Sequence, residues 1–390
     1  MSESRNGIAP PRDRNERSSF SRIVSPVNVT ILALLVLLLP EIEHQISDLL
    51  FSLLRPLTVA LAVTAIGAVV SLVSILGGLL VGLRPGFVAF GPVQIRLGGE
   101  IGWGVGINQS WRHFVGSVLM VPVQGRFGRN QLIIYASIGL VTSLALLIWL
   151  FTEARSLGWP TVDEPGMSTQ VAALWISAPL GAFIVGLAEV LTGGTILSSL
   201  LRGSADQANR MLATMTIASR MALGERPAKW DRELLEEAIS VPDTTADHLM
   251  GLCFAYLSAV DHGDLSSANR HLQAFERWLH ESNPNVRPYV LSSLAGYASL
   301  YHERAWLTAA HRKDLDGASE YLNRAAGFDV AMPIDLRVKA ELLSLEGDRE
   351  AAETLARAGL NDLDSFPVME RWRVPFERDL LNRVLDQNHA

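Results

Sequence analysis

Histidine, the side chain most often used for acid-base catalysis and metal binding, is poorly placed for either role in this chain. None of the nine histidines lies between positions 45 and 112. His302 is followed by Glu, as in the zinc motif HExxH, but position 306 is Trp, so the second ligand is missing. His262, His271 and His280 recur every nine residues, which puts neighbours on opposite helix faces. We expect no histidine metal site and no cofactor.

Other catalytic signatures are missing from the sequence as well. There is no GxSxG serine motif and no Walker loop, and no lysine precedes Lys229. The glycines between positions 98 and 106 do not follow the GxGxxG spacing. The single cysteine, Cys253, lies in the apolar run LMGLCFAYL and is expected to be a small buried hydrophobe. The sequence thus predicts no catalytic residue.

Glu189 is the one ionisable residue well inside a long apolar stretch, in IVGLAEVLTGG. A charged side chain within a membrane segment is costly and usually functional, which makes Glu189 a candidate functional residue. The alternative is that the following Gly193-Gly194 breaks the helix and leaves Glu189 solvated near an interface.

Four apolar stretches must position these residues. The chain is 49% hydrophobic and 19% charged, with a mean hydropathy of +0.23, and its apolar residues are concentrated in the first half. A bilayer-spanning helix needs about 20 such residues. The sequence predicts four transmembrane helices, at Val24 to Leu39, Leu57 to Leu83, Leu132 to Phe151 and Val171 to Leu201.

Arginines orient these spans. The arm at 1–22 has five, the loop at 40–56 has one, the stretch at 84–131 has five and the loop at 152–170 has one. By the positive-inside rule this places both termini in the cytoplasm of a multi-pass protein of the cell inner (plasma) membrane.

The arm is expected to be disordered, because it has almost no apolar residues. The stretch 84–131, rich in β-branched, aromatic and glycine residues, predicts short strands at the membrane surface.

The region 203–390 is helical by pattern and acidic, so we expect no nucleic-acid partner. Three of its segments begin with Asp264, Asp314 and Asp348, which are 50 and 34 residues apart, the second spacing being the tetratricopeptide period. The predicted buried faces of the helices that follow are Ala268, Leu272 and Phe275, then Ala318, Leu322 and Ala325, then Ala351, Leu355 and Ala358. This pattern predicts a cytosolic helical-repeat domain. It either presents a groove to a peptide or merely buries a core.

The order of several segments carries a family resemblance. These are GGLLVGLRPGFVAFGPVQIR at 77–96, GVGINQSW at 104–111, GSVLMVP at 116–122, LIIYASIGLVTSLALL at 132–147 and the stretch 200–239, which contains RPAKW and LLEEA. Together they resemble bacterial site-2-protease-like membrane zinc metallopeptidases that carry a long helical C-terminal domain. The similarity covers about 57–330, and it implies the fold of that class.

The same resemblance implies that the catalytic residues have been lost. The HExxH of active members falls on VSLVS, from Val70 through Ser71 to Ser74, and their Gly-Pro falls on Gly139-Leu140. Their Asp-Gly falls near Gly193, and their Asn and Pro fall near Gly186 and Glu189. Serine hydroxyls are neutral and cannot replace zinc ligands or the glutamate base. We read Val70, Ser71, Ser74 and Gly193 as vestigial positions.

The function expected from the sequence is therefore that of a catalytically inactive membrane scaffold or adaptor. Its partners would be the lipid bilayer and a protein or client peptide bound by the helical domain. One alternative is an active metallopeptidase that uses His44, His113 or Glu189. A second alternative, a transport or export accessory protein, rests on Glu189 and the number of spans.

Overall fold

The computed structural model describes residues 48–99, 102–107, 114–123, 125–156, 169–242, 245–281, 297–325, 332–366 and 373–389. Over these residues the protein is mainly helical with one small antiparallel sheet, as the sequence predicts. The chain divides into two compact units, one ending at Leu212 and one beginning at Ala213. We call their described parts the membrane unit (48–212) and the helical unit (213–389). The arm at 1–22 and the first predicted span lie outside the described residues.

The membrane unit is built on three long helices, α1 (Asp48–Leu80), α2 (Arg129–Ser156) and α3 (Thr169–Arg202). Each contains a segment long and apolar enough to cross a membrane: Thr58–Leu80, Arg129–Ser156 and Ser177–Arg202. These segments match the second, third and fourth predicted spans. Many large apolar side chains on them point outward, among them Leu72, Val141 and Phe183 at 58%, 63% and 54% exposure. Such surfaces suit lipid, so the protein is associated with a membrane.

Polar contacts at the two ends of this bundle fix the helix directions. Arg129 at the start of α2 donates two hydrogen bonds to the Leu200 carbonyl at the end of α3. Gln131 donates to the Val81 carbonyl, just past the end of α1, at 2.9 Å. At the other end, the hydroxyls of Thr58 and Ser177 share a 2.8 Å hydrogen bond. Hence α1 and α3 run in one direction and α2 runs in the other.

The sheet follows α1 and consists of β1 (Leu83–Phe90), β2 (Val93–Arg96), β3 (Gly104–Ile107) and β4 (Ser117–Pro122). Its order is β3-β2-β1-β4, and every pair is antiparallel.

The sheet lies along the C-terminal half of α1. A Cβ at Gly67 would collide with the Val115 carbonyl, and one at Gly78 would collide with the side chain of Met120. The glycines thus let the β4 strand and the segment before it approach α1 between these two levels.

The helical unit contains the end of α4 (Ala205–Ala222) and eight further helices. They are α5 (Arg232–Ala238), α6 (Ala246–Asp261), α7 (Leu265–Glu281), α8 (Tyr297–Arg312), α9 (Leu315–Ala325), α10 (Met332–Glu346), α11 (Arg349–Asn361) and α12 (Arg373–His389). Helices α6 and α7, α8 and α9, and α10 and α11 pack as consecutive pairs, and α12 packs on α10 and α11. Along α6 and α8 the central residues are almost all buried.

The turns between the paired helices share one construction. The residue before each starting aspartate has a positive φ: 76° at Gly263, 57° at Lys313 and 89° at Gly347. The side chains of Asp264, Asp314 and Asp348 then accept hydrogen bonds from the backbone N–H three residues on. Each aspartate thereby caps the helix that follows it.

The predicted buried faces hold for the first of these helices and shift by one residue in the third. Ala268, Leu272 and Phe275 are buried in α7. In α9 Ala318 is buried and Leu322 is half-buried, while the side chain of Ala325 lies outside the described residues. In α11 the buried residues are Ala352, Ala356 and Gly359. Of the predicted residues, Leu355 is half-buried and packs against this core, whereas Ala358 is exposed, so the predicted face is displaced by one residue. Counting four, eight and eleven residues from Asp264 and from Asp348 gives the buried residues of α7 and α11, because the cap fixes where the helix begins.

Candidate functional site

Glu189 lies on the inward face of α3. Ala182, Val185, Gly193 and Leu200 share this face by helical spacing, and all four are buried. Glu189 itself is only partly buried, although it lies in the middle of the face. Glu189 therefore keeps some exposed surface on a face that is otherwise buried.

Small residues on the two other helices make room for the carboxylate. The point where Gly139 of α2 would carry a Cβ is 2.7 Å from Glu189 Oε2 and 3.5 Å from the Oγ of Ser74 in α1. A side chain at position 139 would therefore collide with the carboxylate. Within α3, a Cβ on Gly193 would be 3.7 Å from the same carboxylate oxygen. We call the site formed by Ser74, Gly139, Glu189 and Gly193 the Glu189 crevice.

Tyr135, one helical turn before Gly139, lies close enough to Glu189 to interact with it electrostatically. Its hydroxyl donates a 2.6 Å hydrogen bond to the Val118 carbonyl of β4, so it also ties the sheet to α2. Sequence reasoning missed this residue. A phenol in an otherwise apolar span, one turn from the expected Gly-Pro position, is the signal that could have found it.

The structure brings together most of the positions predicted as vestigial. Ser74 and Gly193 line the Glu189 crevice, as described above. Ser71 is buried one turn earlier, with its Oγ 3.2 Å from the point where Gly116 would carry a Cβ, so it faces the chain before β4. Val70 lies in an apolar cluster with Phe114 and Val185 and takes no part in the crevice.

These residues do not fit a catalytic zinc ion. Zinc requires three protein ligands with nitrogen, sulfur or carboxylate donors, whereas the crevice offers one carboxylate and neutral hydroxyls. Over the part of the chain that the structure describes, no three His, Cys, Asp or Glu residues are grouped so that they could hold a metal. His44 and His113, proposed for an active enzyme, lie outside the described residues. The crevice can bind a cation or a hydrogen-bond donor.

A second group of ionised side chains is buried in the helical unit and joins four helices. Arg337 of α10 donates to Glu303 Oε1 of α8 at 2.5 Å and to Glu377 Oε2 of α12 at 2.7 Å. Tyr256 of α6 donates to Glu303 Oε2 at 2.6 Å. The guanidinium lies 5.5 Å from the Trp306 ring centroid, within range of a cation-π contact. We call these five residues the Arg337 cluster.

Burial controls the titration of this cluster. The side chains of Arg337 and Glu377 have no exposed surface. Burial raises the pKa of Glu377 despite the nearby Arg337, and burial and then Glu303 raise the pKa of Tyr256 far above its usual value. For Arg337, burial lowers the pKa, but Glu303 and Glu377 outweigh it and the net shift is upward. The cluster is internal and holds helices in register rather than facing a ligand.

His302 and Glu303, the first two residues of the incomplete HExxH motif, both belong to the buried interior of the helical unit. His302 Nε2 is 3.0 Å from Asp335 Oδ1, and Lys339 Nζ is 2.9 Å from Asp335 Oδ2. Burial alone would raise the pKa of Asp335, but hydrogen bonds from His302 and Lys339 outweigh it and the pKa is lowered. Cys253 is part of the interior too, and burial raises its thiol pKa to about 12. This agrees with the prediction of an unreactive cysteine.

A polar contact also joins an early turn to the last helix. Arg226, in the RPAKW stretch, forms ion pairs with Asp261 at 2.7 Å and with Asp379 of α12 at 2.6 Å. The Asp261 side chain is fully buried and also accepts from the Ala228 N–H. Arg226 thus connects the RPAKW stretch, which is part of the family resemblance, to α12 at the C-terminal end of the helical unit.

No family model matches this sequence, and no curated protein and no solved structure is found to be similar to it.

Proposed function

We propose that this protein is a catalytically inactive relative of site-2-protease-like membrane metallopeptidases, and that it acts as a membrane scaffold or adaptor. The observation that supports this is the Glu189 crevice. Helices α1, α2 and α3 contribute Ser74, Gly139 and Gly193 to one place, and these are positions where the resemblance expects catalytic motifs. The residues found there include one carboxylate and are too few to hold catalytic zinc.

In the membrane, we propose four spans with both termini in the cytoplasm of the inner membrane. The opposite direction of α2 relative to α1 and α3 supports this topology. Arg129 and Arg202 lie at the end of the bundle where α1 is followed by β1. In the sequence, the exposed Arg84 comes just after this end of α1, and the exposed Arg126 comes just before the start of α2 at the same end. Arginines favour the cytoplasmic side. Because the sheet lies along α1, we place it partly within the depth of the membrane rather than on its surface.

We propose that the helical unit is a tetratricopeptide-like array that binds a protein partner. Three helix pairs that share one capped turn support this proposal. Because α6 and α8 are buried nearly all round, the accessible surface of the three helix pairs belongs mainly to α7, α9, α11 and the aspartate turns. No large apolar side chain is exposed over the described part of this unit, so a polar peptide or protein surface is the partner that it suits.

Photocrosslinking in cells tests the adaptor role. A photoreactive residue replaces Glu320, exposed on α9, or Arg357, exposed on α11, with buried Ala318 as the matched control. A discrete crosslinked protein is expected from the exposed positions only. Equal patterns from all three positions would contradict a partner at this surface.

The enzyme alternative is tested in parallel on a co-expressed membrane protein. Cleavage that is lost when His44, His113 or Glu189 is replaced by Ala would favour an active peptidase over an adaptor.

A further inference from the structure

Glu189 has an unusual position for an unbalanced negative charge. It is near the middle of the apolar segment Ser177–Arg202, and its carboxylate lies beside Gly139 of α2. It lies on the inward face, yet part of its surface is open. The Glu189 side chain is therefore partly exposed near the middle of an apolar segment.

The predicted spans themselves carry no basic residue that could balance this charge. None of the four apolar stretches, at 24–39, 57–83, 132–151 and 171–201, contains Lys or Arg. Along α3 the nearest basic residue is Arg202, 13 positions and therefore about 20 Å away. The described α2 has its two arginines, Arg129 and Arg155, close to its two ends. Ionisable residues inside membranes are normally paired, so a positive group from outside the chain fits this place.

The described residues leave open space beside Gly186. Gly186 lies one turn before Glu189 on α3, and a Cβ added there would meet nothing within 4 Å. Small residues at a helix surface let another helix approach closely in lipid. A side chain from such a helix would reach the crevice from the side of Gly186.

We propose that the Glu189 crevice receives an Arg or Lys carried in the middle of a partner's transmembrane helix. This rests on the proposed adaptor function and names the chemistry of its membrane client. The carboxylate forms an ion pair with the basic group, and the small residues around it admit the helix that carries the group. Both charges enter the bilayer neutralised, which removes most of the cost of placing either one there alone.

Synthetic peptides test this pairing without knowledge of the client. The full chain is reconstituted into phosphatidylcholine vesicles with a dansyl-labelled Leu/Ala transmembrane peptide that has uncharged ends and a central Arg. A second peptide has Gln at the same position. Energy transfer from the protein's tryptophans to the dansyl group reports binding. We expect the Arg peptide to bind on the order of tenfold more tightly than the Gln peptide.

Three variants assign the effect to the crevice. Glu189→Gln should abolish the preference for Arg while leaving binding of the Gln peptide unchanged. Gly186→Leu has room to fold and should weaken binding of both peptides by blocking the approach. Glu153→Gln, which removes the carboxylate near the end of α2, should change neither. Unfolding curves that match the unsubstituted protein show that each variant is folded.

The possible results separate this inference from the adaptor function. If the unsubstituted protein binds both peptides equally, or if Glu189→Gln keeps the Arg preference, the ion pair is refuted while a membrane client remains. If neither peptide binds, both the ion pair and a membrane client at this site are refuted. The adaptor role of the helical unit is then decided by the crosslinking experiment alone.

Discussion

Replacing Arg337 by Met should destabilise the helical unit more than the replacement of a surface arginine does. Arg337 donates hydrogen bonds to Glu303 and Glu377, and none of its side-chain surface is exposed. Its loss would leave two carboxylates in the interior without their shared cation. Removing one partner of a buried ion pair costs about 3–5 kcal/mol, and small domains are stable by only about 5–15 kcal/mol. The substitution should therefore remove about a fifth or more of the stability.

Arg357→Met is the matched control. Arg357 forms an ion pair with Glu353 at 3.6 Å, but 62% of its side chain is exposed. Surface pairs of this kind contribute about 0.3–0.5 kcal/mol. Both variants lose one arginine and gain the same side chain, so the difference between their unfolding free energies measures the effect of burial.

The assay is urea unfolding of the full chain in mild detergent, followed by tryptophan fluorescence. Trp306 is a built-in reporter, because its ring centroid lies 5.5 Å from the Arg337 guanidinium carbon. The loss should be smaller at about pH 5 than at about pH 8. Burial already raises the pKa of Glu377, and without Arg337 the pKa rises further. A carboxyl whose folded pKa exceeds its unfolded value of about 4.3 favours folding as the pH falls, because the folded state takes up the proton first.

Two results would refute this reasoning. Equal losses in Arg337→Met and Arg357→Met would mean that the Arg337 cluster is not buried as described. A loss in Arg337→Met that grows as the pH falls would mean that the remaining carboxylates are not the source of the instability.

Three further predictions test the capped turns, the Asp335 pair and the Glu189 crevice. Lys313→Gly should stabilise the chain by roughly 1 kcal/mol in urea unfolding, because Lys313 has a φ of 57° that favours glycine, and Ala at the same position should not. The lowered pKa of Asp335 gives stability that is present above its unfolded pKa of about 3.9 and lost as the pH falls through the folded pKa. Asp335→Asn should therefore flatten the acid limb of a stability-against-pH curve, and an unchanged limb would refute the pairing. Gly139→Ala should displace the Glu189 carboxylate, because its Cβ would be 2.7 Å from Glu189 Oε2. Since Oε2 ends a flexible side chain, the loss of thermal stability should be small, and Glu189→Ala in the same chain should remove it. Additive effects of the two substitutions would contradict their contact.

Hydropathy was enough to place three of the helices that form the membrane unit. The predicted spans beginning at Leu132 and Val171 lie within α2 and α3, because a long apolar run in a helix has only lipid or other helices to contact. The span predicted from Leu57 to Leu83 overlaps α1 but extends past its end at Leu80 into the first residue of β1. The strands were predictable from β-branched residues and glycines. Their position along α1 was not, since it depends on which glycines face which backbone.

The Glu189 crevice and the Arg337 cluster were only partly predictable, because both depend on contacts between residues that are far apart in the sequence. Glu189 could be identified because a carboxylate in an apolar span is rare, and Ser74 and Gly193 were reached through the family resemblance. Tyr135 was missed because its role depends on a contact between α2 and β4. The Arg337 cluster was missed for the same reason. Its side chains come from four helices, and no local spacing in the sequence relates them.

The turn at Asp348 shows the value of a cap as a reference point. Periodicity alone gave a buried face one residue away from the observed one in α11. The side chain of Asp348 accepts from the Ala351 N–H at 3.2 Å, which fixes the first turn. Counting from that aspartate gives Ala352, Ala356 and Gly359 without any fitted period.

Zinc content is the measurement that tests the central claim most directly. The full chain, purified in detergent without chelators and with zinc in the growth medium, is analysed by mass spectrometry for metal per chain, beside Glu189→Gln and Ser74→Ala. We predict zinc far below one atom per chain and no difference among the three proteins, because the Glu189 crevice provides a single carboxylate. One zinc per chain that disappears in Glu189→Gln, together with a chelator-sensitive peptidase activity, would contradict the account.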